Sequence, residues 1–223
     1  MFRIADDEIL DEDTLSEYIS DHNTEVSMRY SPLLNAYMTN YPIFHAPPKP
    51  TYKPDNRIAV NFAKYITDTM NGFFLGNPIK LQSDDETVLN YVELLDQYNN
   101  QDDNNAELSK TCSIFGNGYE MYYVDENGQI GITYLTPMEA FMIYDDSVLQ
   151  NPRYFVRLYL DTDNVLHGSV SDETTVKYFE IRGKLTFIPE YERLHGFDGV
   201  PATEFLENAE RQGIYESVLT MIN

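Results

Sequence analysis

The sequence has no tryptophan, one cysteine, and far too few basic residues to balance its acids. Each shortage excludes something. A lone cysteine, Cys112, can build neither a disulfide framework nor a cysteine-based metal centre. It shares a helical stripe with Leu108 and Phe115, so it is expected to be a buried core thiol, as free cysteines usually are. Lys and Arg number 15 against 37 Asp and Glu, for a formal net charge of −22. Proteins that grip nucleic acid draw affinity from clustered cations that neutralise phosphates. No basic run exists here, so tight binding of DNA or of an anionic membrane by this segment is not expected. The segment from Met1 to Asp13 is acidic and has no apolar stretch of the signal-peptide kind. No apolar run approaches the ~20 residues that a membrane-spanning helix needs.

The motifs that announce chemistry are missing too. The sequence contains no GxxxxGK[ST], no GxGxxG between a strand and a helix, no HExxH and no GxSxG. Its four histidines, His22, His45, His167 and His195, are scattered. Asp161 and Asp163 could open a calcium loop, but Val165 and Leu166 stand where a ligand and the obligatory glycine belong, and Asp172 stands at the last ligand position in place of Glu. Adjacent carboxylates occur at Asp84-Asp85, Asp102-Asp103 and Asp145-Asp146. Neighbours in sequence rarely converge on one point, so solvated loop or cap positions are expected for them. No catalytic, cofactor-binding or metal-ligating residue is nominated, and no cofactor.

What the chain does have is aromatic surface chemistry, with 18 Tyr and 12 Phe, and a clear change of period. Tyrosine combines an apolar body with a polar tip and suits half-wet surfaces such as subunit contacts or strand faces. The first part reads as helical. Thr14 and Glu17 form a possible capping box. A second helix is expected from Met28, with Tyr30, Leu34 and Tyr37 at helical spacing and Pro32 tolerable only in its first turn. Tyr41 to Pro54, with five prolines, reads as an extended arm. Asp55-Asn56 is expected to open the clearest helix, whose stripe is Ile58, Phe62, Tyr65, Ile66, Thr69, Met70 and Phe73, with Gly76 at its end. Another cap at Ser83 to Glu86 precedes a helix faced by Val88, Val92 and Leu95. Tyr98 to Asn105 reads as a polar loop, and a further helix ends at Gly116.

From Tyr119 the period becomes 2. Strands are expected at 120–124, 130–134, 141–144, 153–160, 165–170, 175–181, 184–188 and 202–206. Asn127-Gly128 is expected to form a hairpin turn, because type I′ geometry needs positive φ at both central residues. Helices first and strands afterwards give an α+β fold, N-terminal helices followed by an antiparallel β-meander. The parts are 1–54, helices and a proline-rich arm; 55–118, helical; 119–206, β-rich; and 207–223. In the last, Ile214, Val218, Met221 and Ile222 read as the start of an amphipathic helix that is cut short, so exposed apolar surface is expected there.

Five segments, taken in order, resemble the portal proteins of siphovirus-type tailed double-stranded DNA phages. They are DNRIAVNFAKYITDTMNGFFLGNPIK (55–80), SIFGNGYEMYYVDENGQI (113–130), LTPMEAFMIYDDS (135–147), RYFVRLYL (153–160) and FDGVPATEFLENAERQGIYESVLTMIN (197–223). No one of them is diagnostic; their shared order is far more specific. The resemblance implies a portal wing-like fold and a structural, non-enzymatic subunit of the ring, usually of twelve, at one capsid vertex, through which DNA is packaged and ejected. It implies that the stem, clip, tunnel helix and crown lie beyond Asn223. It also implies, as partners, other portal subunits, capsid and scaffolding proteins, terminase and a head-completion adaptor, with double-stranded DNA passing through the full ring and no membrane. The place implied is the virion, after assembly in the bacterial cytoplasm. Two other classes fit the composition less well: an acidic DNA mimic or other interaction module, and a carboxylate-based hydrolase.

Overall fold

In the computed structural model, residues 2–5, 8–124 and 128–194 are described. They divide into two compact units. One contains the described residues of 2–20, 122–131 and 139–194; the other contains 21–121 and 132–138.

The first unit is built on a six-stranded sheet in the order β1-β4-β5-β6-β7-β8. Its strands are β1 (Phe2–Ile4), β4 (Ala140–Asp145), β5 (Pro152–Leu160), β6 (Leu166–Ser171), β7 (Thr175–Arg182) and β8 (Lys184–Leu194). From β4 to β8 the sheet is an antiparallel meander, as the alternating pattern predicts. The sequence gives no sign of β1, which lies parallel to β4 with Phe2 opposite Ile143 and Ile4 opposite Asp145. Three residues carry no readable period, and a parallel pairing across so many residues is a tertiary event. The core joins the inward residues Ile143, Val156, Leu158, Val170, Phe179 and Leu185 to Ile4 and Leu10, and to Leu15 and Ile19 of α1 (Glu12–Glu25). The cap of α1 is not Thr14. Asp11 accepts a hydrogen bond from the Thr14 amide at 2.8 Å, so Asp11 is the N-cap and the helix begins earlier than the capping-box pattern suggests. The strand expected at 202–206, the turn residue Asn127, the 207–223 segment with its expected apolar surface, and His195 lie outside the described residues. Gly128 is described, and its φ of +75° suits the expected turn.

The second unit is helical. The end of α1 passes through a π-helical turn at Val26–Tyr30 into α2 (Ser31–Tyr37), with Pro32 in its first turn. Pro32 has no N–H and crowds the carbonyl four residues back, and a widened turn relieves both problems. The arm expected from Tyr41 is interrupted by a one-turn helix, α3 (Pro42–His45), which Pro42 opens. Then follow α4 (Phe62–Leu75), α5 (Glu86–Asn99) and α6 (Gln101–Phe115). The helix expected from Asp55 starts only after Asn61, because Asp55 is engaged by Arg57, at 2.9 Å, and by the Lys49 amide. The loop expected at 98–105 is mostly helix. Asn100 alone turns the chain, in the left-handed region (φ 50°, ψ 51°), a conformation asparagine tolerates better than most residues. The polar residues around it serve as internal ties: the Asn104 amide donates to the carbonyls of Asn99 and Ile132. At the far end of α6, Gly116 caps at φ 88°, as expected. Strands β2 (Tyr119–Val124) and β3 (Ile130–Leu135) form a separate two-stranded sheet.

Candidate functional site: apolar faces of the helical unit

The groups most able to do chemistry are dispersed. His22 is buried and donates from Nε2 to the Pro137 carbonyl at 2.9 Å. Burial pushes its imidazole below the usual value, against that hydrogen bond. His45 pairs with Asn40, and His167 with Asp161. Among the described residues no three His, Cys, Asp or Glu side chains come together as a metal site. Each acidic pair has at least one member with a local structural job. Asp85 is the N-cap of α5, accepting from the Thr87 and Val88 amides. Asp102 and Asp103 sit in the first turn of α6, where negative charge complements the helix dipole. Asp145 departs from the expected solvated position: it is buried. Its carboxylate accepts from the amide and hydroxyl of Ser147 and from the amide and side chain of Asn151, which fastens the β4–β5 loop and holds the carboxyl below the usual range. Cys112 is also corrected, since it is exposed, and Thr111 beside it takes the buried position on α6.

The conspicuous feature is α4. Its apolar stripe faces outward. Phe62, Tyr65, Ile66, Met70, Phe73 and Phe74 are all exposed, Phe73 at 88%, whereas Thr67 is buried at 6%. The polar side of the helix packs inward, against α2 and α6. Hydrogen bonds fix that orientation. Asn61 caps α4 by accepting from the Lys64 amide at 2.7 Å, and its Nδ2 donates to the carbonyls of Ala36 and Tyr37 and to the Thr39 hydroxyl. The Tyr37 hydroxyl donates to Asp68 at 2.7 Å and accepts from Lys64, whose ammonium also lies over the Tyr37 ring. The Tyr37 hydrogen bond, with Lys64, keeps the Asp68 carboxyl below its ordinary range. Ser113 of α6 approaches Thr67 at 3.4 Å.

A second exposed stripe runs along α5: Val88, Tyr91, Leu94 and Tyr98. Helical spacing puts Val88 on one side with Val92 and Leu95, as expected, but in the first turn of the helix it stays exposed while they are half-buried. At 100° per residue, Lys64 and Asp68 fall on the side of α4 opposite its stripe, and Glu86 and Glu93 fall on the far side of α5 from Tyr91 and Tyr98. Both faces are therefore free of charge, on a chain of net charge −22. The sequence shows that α4 has an apolar side but not which way it points. The matching signal is on its other side, where Asn61, Lys64, Thr67, Asp68 and Asn71 supply polar groups able to meet polar partners. No described helix is long and apolar enough to cross a membrane.

Four exposed aromatic side chains at 150–250 Å² each, with Ile66 and Met70, make the α4 face roughly 700–800 Å². Isolated monomers seldom carry an apolar patch above ~600 Å². A face of that size is large enough to serve as an interaction surface. The comparison with known families agrees. Residues 16–223 match the family described as phage portal protein, SPP1 Gp6-like, and the chain belongs to that family. It is similar to the portal protein of Bacillus phage SPP1, with 27% identity over 133 residues, 57% of this chain and 26% of that protein. The matching stretch thus spans about a quarter of the length of that curated relative.

Proposed function

We propose that this chain is the wing-side, N-terminal portion of a portal subunit. In this role it is a structural, non-enzymatic part of the ring at one capsid vertex through which phage DNA is packaged and ejected. The observation that carries the proposal is the family match from residue 16 to residue 223 on an α+β scaffold. Residues 55–118 supply the helical part of the wing and 119–206 its β-rich part, while 207–223 lead toward the stem. The partners are other portal subunits, capsid and scaffolding proteins, terminase and a head-completion adaptor. The place of action is the virion, reached from the bacterial cytoplasm. The acidic chain suits a wall that DNA passes without adhering, since like charges repel.

The test is incorporation. A tagged copy of the chain, expressed where its phage replicates, is expected to co-purify with procapsids in the small amount set by a single vertex. Recovery of all tagged chain free of procapsids would refute the proposal.

A further inference from the structure

We infer that the α4 face of one copy is covered by the α5 face of a neighbouring copy, in a head-to-tail contact. This deepens the portal reading and rests on it, because it names the partner surface. The helical unit carries two uncovered stripes on separate helices, Phe62, Tyr65, Ile66, Met70, Phe73 and Phe74 on α4, and Val88, Tyr91, Leu94 and Tyr98 on α5. Both helices are held by α6. An α4-to-α4 contact would be two-fold and would leave the α5 stripe of each copy bare. Joining α4 to α5 covers both stripes in every copy and repeats, and repetition of that kind either closes into a ring or runs on as a filament.

The area is sufficient. The α4 stripe of one copy and the α5 stripe of the next together remove roughly 1,200 Å² from water, at the threshold of specific, stable interfaces. Charge allows the approach. The acids within α5, Glu86, Glu93 and Asp96, all lie off the stripe by helical geometry. The long-range repulsion between two copies of charge −22 is screened by salt, so association strengthens as ionic strength rises.

Two single-cysteine forms of the 223-residue chain test this, both carrying Cys112→Ser, one with Phe73→Cys and the other with Tyr91→Cys. After mild oxidation, the mixture is expected to give a covalent dimer several-fold above either form alone. Adding Phe62→Asp to the Phe73→Cys form should cut that yield about tenfold, because it removes an aromatic contact and puts a charge into an apolar one. Phe62 is exposed, so the substitution leaves the fold intact, and an unchanged circular dichroism spectrum checks this. Three outcomes overturn the inference: Phe73→Cys dimerises by itself as well as it does in the mixture; Phe62→Asp leaves the yield unchanged; or no cross-link forms and the chain sediments as a monomer at all concentrations and salt levels. Each can occur while the chain still enters procapsids. The face assignment then fails and the portal role stands. If the cross-link forms but procapsids contain no chain, the contact survives and the portal role falls.

Discussion

Gly168→Ala is expected to weaken the sheet unit, and to do so more than the same change at Gly131. Gly168 lies mid-strand in β6, opposite Leu158 on β5 and Phe179 on β7. Phe179 is completely buried, and its ring lies across the glycine: a Cβ at Gly168 would stand 2.2 Å from Phe179 Cζ and 2.5 Å from the Arg157 carbonyl oxygen. Two effects compete. Alanine favours a strand interior over glycine by about 0.5–1 kcal/mol. Overpacking a filled core costs about 1–3 kcal/mol. The carbonyl belongs to the β5 backbone and cannot swing aside, and the ring is enclosed by the core, so overpacking wins by about 1–2 kcal/mol net. For a chain of this size each kcal/mol is worth about 2–4 °C, so the thermal midpoint should fall by roughly 2–8 °C. At Gly131, also buried, the atoms nearest a Cβ belong to the Tyr123 ring, at 2.3 Å, and a partly exposed side chain gives way more easily than backbone. The penalty there should therefore be the smaller of the two. Thermal unfolding followed by far-UV circular dichroism reads both. A second comparison adds Phe179→Leu, which shortens the ring and should absorb part of the Gly168→Ala penalty. An unshifted midpoint for Gly168→Ala, or strict additivity with Phe179→Leu, would refute the claim that the ring occupies the methyl's place.

Three further outcomes follow from the helical unit. Asn61→Ala removes the α4 cap and three donated hydrogen bonds and should cost about 1–2 kcal/mol; Asn61→Asp keeps a capping oxygen but loses the donors, so faster amide exchange in α4 should persist in that variant. Asn100→Ala places an ordinary residue at φ 50° and should cost about 1–2 kcal/mol, while Asn100→Gly should be close to neutral, both read as unfolding midpoints. Burial lowers the folded-state pKa of His22. Its contribution to stability is therefore complete above its unfolded value of about 6.5 and is lost as pH falls through that value toward the folded one. Denaturant titrations from about pH 7 to pH 5 should show a decline that is shallower in His22→Gln, and equal slopes would contradict the assignment.

The α+β order, the meander from β4 to β8 and the ends at Gly116 and Gly128 were legible because each depends on local chemistry, such as alternation along a strand or a φ that glycine adopts freely. Boundaries moved where a polar side chain had two possible uses. Asp55 could cap a helix and instead holds Arg57. Asp11 and Thr14 could both cap α1, and Asp11 does. Asn100 could sit in a loop and instead makes a one-residue corner. The candidate faces were half legible. The periodicity of α4 gives it two sides, but the side that turns inward is decided by Tyr37 and Ser113, which lie far away in sequence. Cys112 went astray for a related reason, because Thr111, one residue earlier, takes the buried position.

Hydroxyl-radical footprinting of the chain, free in solution and within procapsids, addresses the central claim most directly. Phe62, Tyr65, Met70, Phe73, Tyr91 and Tyr98 should react readily in the dilute free chain and become strongly protected after incorporation, while Phe179 stays protected in both states. Equal reactivity of the α4 and α5 aromatics in the free and incorporated chain would contradict the account.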